Sequence, residues 1–122
     1  MRPVIPVVLS HRDKSKEHEV LIDSGSDKCF FDAEVAEQLG ISIKDIIVGE
    51  AFGIKGNKSL YYSHPITITV GNVSYTVNAG FMPSVMGGIV PYGFVGQKGF
   101  FDKFIIKFDL PKREVVLLEA KN

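Results

Sequence analysis

Apolar and polar positions along this chain alternate mostly with the two-residue period of strands. The clearest run is His64 to Val70, where Ile66, Ile68 and Val70 alternate with Thr67 and Thr69 and predict a half-buried strand. Pro3 to Leu9 predicts a first strand, and its prolines suit an edge or a chain end. Ser10 to Glu17 reads as a charged hairpin loop, Glu19 to Asp23 as the second strand, and Lys28 to Phe31 as a short extended run. The period then changes. Val35, Ala36 and Leu39 form a helical stripe over Ala33 to Leu39, with Asp32 as N-cap and Gly40 where a left-handed C-cap belongs. Ile41 to Val48 is β-branched and ambiguous. Gly49 to Tyr62 predicts a hairpin with its tip at Gly53-Ile54-Lys55-Gly56-Asn57-Lys58. Gly71-Asn72 turns the chain, and Val73 to Met82 runs back. Pro83 to Gly93 is an apolar loop, Phe94-Val95-Gly96 resumes a strand, and Gln97 to Lys103 fits a short helix. Phe104 to Asp109 and Glu114 to Glu119 are two closing strands joined by Leu110-Pro111-Lys112-Arg113.

Composition narrows the class. A chain of 122 residues, 45% hydrophobic and 23% charged, predicts one globular domain over residues 1–122 with a real core. Zero formal net charge argues against a nucleic-acid partner, which needs a basic face. The single cysteine, Cys29, excludes an intrachain disulfide and fits a reducing, cytoplasmic compartment. No secretory signal is expected, because the apolar run Val4 to Leu9 is short and Arg12 and Asp13 follow. No run of about 18 apolar residues exists, so no membrane span is expected. From Ser59 to Gln97 there is no Asp, Glu, Lys or Arg, a breadth of uncharged surface that fits central strands or a face covered by a partner.

The chemistry concentrates at Val20-Leu21-Ile22-Asp23-Ser24-Gly25-Ser26-Asp27. An apolar strand arrives at a carboxylate, and a tight turn of small hydroxyl residues and glycine follows. Asp23 then sits at a strand end with its carboxylate directed, Gly25 supplies backbone freedom, and Ser24 can brace the loop.

With this motif, the glycine hairpin at Gly53 to Gly56 and Phe94-Val95-Gly96 before a short helix, the chain resembles the retropepsin-like aspartic proteases. These are the half-size, homodimeric relatives of pepsin. Leu21-Ile22-Asp23-Ser24-Gly25-Ser26-Asp27 is similar to the family's catalytic-loop pattern, the hairpin stands where its flap is, and Phe94-Val95-Gly96 is similar to the segment packed across that loop. Phe100-Phe101-Asp102-Lys103-Phe104 onward is similar to bacterial and retroelement members. The resemblance implies a mainly β fold, a small closed β-barrel with one or two short helices.

It also implies a site. Only one Asp-Ser-Gly is present, since Phe101-Asp102-Lys103 and Phe108-Asp109-Leu110 lack the glycine turn. The catalytic pair would therefore be Asp23 from each of two protomers across a two-fold axis. Two carboxylates about 3 Å apart repel by roughly 5 kcal/mol at an effective dielectric near 20, so they share one proton. The charged member would activate a water, and the neutral one would bind the scissile carbonyl. By the same resemblance Ser24 and Gly25 support the loop. Ser26, Asp27, Gly53, Ile54, Gly56 and Phe94 contact the peptide substrate. Arg2 to Ile5 and Val115 to Leu118 supply a dimer sheet. Retroviral members carry an arginine after the apolar-Gly motif that pairs with the residue at the Asp27 position; here Gln97 stands there. No metal or organic cofactor is implied.

Other candidates read as structure. Cys29 is expected as a small buried residue, with no histidine near it in sequence. His11, His18 and His64 lack metal-ligand spacing and read as solvated loop residues. Ser24 and Ser26 lack the elbow of a serine nucleophile. Lys55 and Lys58 read as solvated tip residues, Lys112-Arg113 as a turn, and Phe100, Phe101, Phe104 and Phe108 mostly as core. Two alternatives to an endopeptidase stay open: a non-catalytic peptide-binding or assembly module on the same barrel, and an unrelated barrel with an ordinary Asp-Ser-Gly turn.

Overall fold

The computed structural model describes residues 3–42, 47–52, 58–82 and 92–120. The predicted hairpin tip, with Gly53, Ile54, Lys55 and Gly56, and nearly all of the loop from Pro83 lie outside the described residues. The strands are β1 (Val4–His11), β2 (Lys14–Ile22), β3 (Phe30–Asp32), β4 (Ile47–Phe52), β5 (Lys58–Val70), β6 (Val73–Met82), β7 (Gly93–Val95), β8 (Phe104–Asp109) and β9 (Glu114–Glu119). Among the described residues there is one helix, α1 (Ala33–Gln38), which follows β3. Among the described residues no helix is long and apolar enough to cross a membrane.

The strands pair in the order β1-β2-β7-β3-β6-β5-β4, and β1 also pairs with β5. That extra pairing closes six strands into a barrel and leaves β4 as an arm on β5. The closing seam is short: Val8, Leu9 and Ser10 of β1 face Thr69, Ile68 and Thr67 of β5. Hairpin β8-β9 forms a separate two-stranded sheet. The fold is mainly β, as the alternating pattern predicts. Inward positions fill the core with Leu9, Val20, Phe31, Ile66, Ile68, Phe81, Val95 and Phe100, all buried.

Most predicted elements stand close to their expected places. Asp32 caps α1 by accepting from the Glu34 backbone N–H at 2.9 Å, and Gly40 takes φ +72 beyond its end. Val35, Ala36 and Leu39 are buried, as the stripe predicts. Gly71 turns β5 into β6 at φ +60.

Four expectations are corrected. The loop expected over Ser10 to Glu17 is strand on both sides of Arg12-Asp13, with Ser10 opposite Ser15 and His11 opposite Lys14. The charges misled there because this stretch holds no apolar residue to show the alternation, and most of its side chains are solvated. Gln97 to Lys103 is a series of turns rather than a helix. Phe101 N–H reaches Gly96 O, Asp102 N–H reaches Gln97 O, and Gly99 takes φ +94, outside the helical region. The histidines lie in strands, not loops: His11 ends β1, His18 is in β2 and His64 is in β5. Phe108 is 48% exposed, while Phe100 and Phe104 are buried.

Candidate active site

Asp23 follows β2 where that strand runs parallel to β7. Leu21 faces Phe94, Ile22 faces Val95, and the Asp23 N–H extends the ladder to Val95 O at 2.9 Å. The apolar run before Asp23 is thus barrel wall, and the carboxylate stands just past its end, half-buried. The chain then turns. Ser26 N–H donates to Asp23 O at 3.1 Å, and Gly25 N–H donates to Asp23 Oδ1 at 2.9 Å. A backbone N–H on the carboxylate is a charge-assisted bond that fixes its direction. Gly25 serves here through its lack of a side chain rather than through a left-handed backbone: a Cβ would stand 3.3 Å from Asp23 Oδ1.

The segment after β7 crosses this loop. Gln97 N–H donates to Ser26 O at 2.8 Å and Lys98 N–H to Asp27 O at 2.9 Å. The Gln97 side chain adds Nε2 to Ser24 O at 2.7 Å. Gly96 lies directly beneath: a Cβ there would collide with Ser26 O and stand 2.7 Å from Lys28 O. No side chain fits, so the glycine of Phe94-Val95-Gly96 is required by the crossing itself. Gly99 then donates its N–H to Asp102 Oδ1 at 2.9 Å, and this closes the turn.

The other expected site residues divide. Ser24 and Asp27 are exposed. Ser26 Oγ donates to Lys28 O at 2.7 Å and so ties the loop to itself. Phe94 is buried, paired with Leu21 and Phe30 and in edge contact with Tyr92 at 5.9 Å; it stands outside the core cluster. Cys29 is buried, as expected. Burial pushes its thiol up to about 11, which keeps it protonated and inert as a nucleophile.

Two participants were not read from the sequence. Gln97 braces Ser24 O, a contact that becomes visible only when the two segments are brought together. Lys28 leaves the loop toward β5, its ammonium 4.8 Å from the centre of the Tyr61 ring. Phe30 packs edge-on against the same Tyr61 ring at 5.3 Å. This cluster connects the Asp23 loop to the strand that pairs with β4.

A crystal structure of a retropepsin-like aspartic protease from Rickettsia conorii superposes on this chain with a TM-score of 0.56. The match covers 87% of this chain and 75% of that one at 13% sequence identity. The chain has the retropepsin-like fold. No family model matches the sequence, and no curated protein matches it. At that identity the likeness concerns the fold.

Proposed function

We propose that this protein is a homodimeric aspartic endopeptidase in which Asp23 of each protomer forms one half of the catalytic pair. The observation that carries this reading is the nested loop. Asp23 is half-buried at a strand end, holds a backbone N–H on one carboxylate oxygen, and is backed by the Gly96 crossing. A surface-turn aspartate needs no such backing.

One chain brings one such carboxylate, so the site is complete only across a two-fold axis. There the pair shares a proton. The ionised Asp23 takes a proton from a bound water as it attacks the peptide carbonyl, and the protonated Asp23 donates to the carbonyl oxygen. The tetrahedral diol then collapses as its nitrogen is protonated, releasing amine and acid. In this reading Ser24, exposed beside Asp23, would bond across the axis to the partner loop. In the same reading Asp27 and Phe94 would contact an extended peptide, which the hairpin tip at Gly53, Ile54 and Gly56 would cover. Two surfaces suit the partner. Val4 to Val7 pair on one side only among the described residues, and Ile105 and Leu118, opposite one another on the hairpin, are 59% and 58% exposed.

Cleavage of an unfolded protein or a peptide library at acid to mildly acid pH tests the reading. Asp23→Asn should keep fold and assembly and lose all cleavage; a wild-type rate in that variant would sink the mechanism. The second reading, a peptide clamp without turnover, draws on Gln97, which binds Ser24 O where an arginine partner for Asp27 would serve a retroviral-type site. Tight peptide binding with no products would favour it.

A further inference from the structure

Two histidines far apart in sequence meet at one mouth of the barrel. His11 ends β1 and continues the inward row of Val7 and Leu9; His64 in β5 continues the inward row of Ile68 and Ile66. Their rings stand 5.0 Å apart between centroids and nearly perpendicular, at 84°. Each ring has one nitrogen against a backbone carbonyl. His11 Nδ1 lies 3.2 Å from Leu39 O, and His64 Nδ1 lies 2.8 Å from Pro65 O. A carbonyl only accepts, so in these contacts each Nδ1 carries the proton. In the neutral rings each Nε2 then presents a lone pair. A ring held through its other N–H by a carbonyl is the arrangement that orients an imidazole for a metal ion.

The spacing fits as well. A metal lies about 2.0–2.1 Å from an imidazole nitrogen, so two imidazoles in tetrahedral positions on one ion have ring centres about 5 Å apart. We propose that His11 and His64 bind a divalent first-row cation, of the zinc or copper kind that prefers imidazole, through their two Nε2 atoms. Among the described residues no third His, Cys, Asp or Glu completes a three-ligand set, so water fills the remaining positions. Lys14, opposite His11 in the β1-β2 pair, and Arg12, next to it in the chain, are positive charges against which the ion must bind. The site is separate from Asp23, which follows the far end of β2 from Lys14. Bound there, the ion joins β1 to β5 beside their three-pair seam. Through Leu39 O it also ties the end of α1 to the clasp.

The test uses the whole chain, stripped with a chelator and titrated with Zn2+ and, separately, Cu2+. The melting temperature of the wild type should rise by about 10 °C at a hundredfold excess over the dissociation constant. His11→Gln and His64→Gln should each remove the shift, and His18→Gln should keep it. No shift with either ion, or a shift that survives both substitutions, overturns the site. Ring resonances of the wild type keep the test decisive if a variant fails to fold. Zn2+ should move those of His11 and His64, and movement of His18 alone would also overturn the proposal.

Discussion

Between Asp23 and Cys29 the chain supplies its own restraints. The carbonyls of Ser24, Ser26 and Asp27 accept from Gln97 and Lys98, and the carbonyl of Lys28 accepts from Ser26 Oγ. The β8-β9 hairpin is the opposite case. Its inner row of Phe104, Ile106, Val115 and Leu117 packs on the core, yet Ile105, Val116 and Leu118 on the other face stay exposed. The loop is finished within one chain; the hairpin leaves apolar surface exposed among the described residues, of the kind that suits a partner. The contrast separates two tasks. Shaping a carboxylate needs short-range backbone bonds and bare glycines, which one chain can provide. Bringing a second carboxylate to it, as the proposed function requires, needs area, and that area can lie away from the chemistry.

Substitution at the crossing tests the loop's side of this contrast most severely. Gly96→Ala places a methyl against two backbone carbonyls that cannot rotate away, so it should cost about 3 kcal/mol or more. The measurement is the melting temperature, which should fall by roughly 10 °C. A variant as stable as the wild type would show that the two segments do not cross as closely as described. On the hairpin, Ile105→Glu combined with Leu118→Glu should leave the circular dichroism and melting of the monomer nearly unchanged. Sedimentation should show self-association weakened by more than tenfold, or about 1.4 kcal/mol. Equal association in the double variant would move the interface elsewhere.

Smaller effects sharpen the same contrast. Gln97→Ala removes one exposed side-chain bond to Ser24 O and should lower stability by about 1 kcal/mol or less, as read by chemical denaturation. A larger loss would make Gln97 as structural as Gly96. Another effect is confined to alkaline pH. Unfolded Cys29 ionises near its ordinary pKa of 9.0, while the buried thiol holds its proton up to about 11. Over that window the unfolded state binds fewer protons, so stability falls as pH rises. Burial pushes the Tyr75 phenol in the same direction. Cys29→Ala should therefore flatten part of the alkaline limb of a stability-pH profile, and an unchanged slope would refute the assignment.

Much of this was legible in the residues. Alternation located His64 to Val70, the Asp32 cap and Gly40 bounded α1, and the apolar run to Asp23 marked the strand end. Two motifs far apart in sequence proved to be one object, because Gly96 is bare only to let Ser26 and Lys28 pass. What failed had physical causes. Charged residues at Ser10 to Glu17 hid strand, since that stretch holds no apolar residue to show the alternation. The Phe-rich stretch after Gly96 imitated a helix, but backbone bonds at irregular spacing and the left-handed Gly99 turn it instead. His11 and His64 read as unrelated because only barrel closure brings β1 to β5. Gln97 looked like a missing partner for Asp27, and its actual partner is a backbone oxygen that no side-chain pattern reveals.

Strand β5 carries a further consequence. Among the described residues its first residues pair with β4 alone, Tyr62 and Ser63 pair with both β4 and β6, and Thr67 to Thr69 pair with both β6 and β1. One continuous backbone therefore belongs to the outer arm and to the closing seam. Its amides form a graded clock: local opening can release the hydrogens near Lys58 while those near Ile68 wait for the barrel to come apart. The arm can peel away many times in the life of a barrel that never opens.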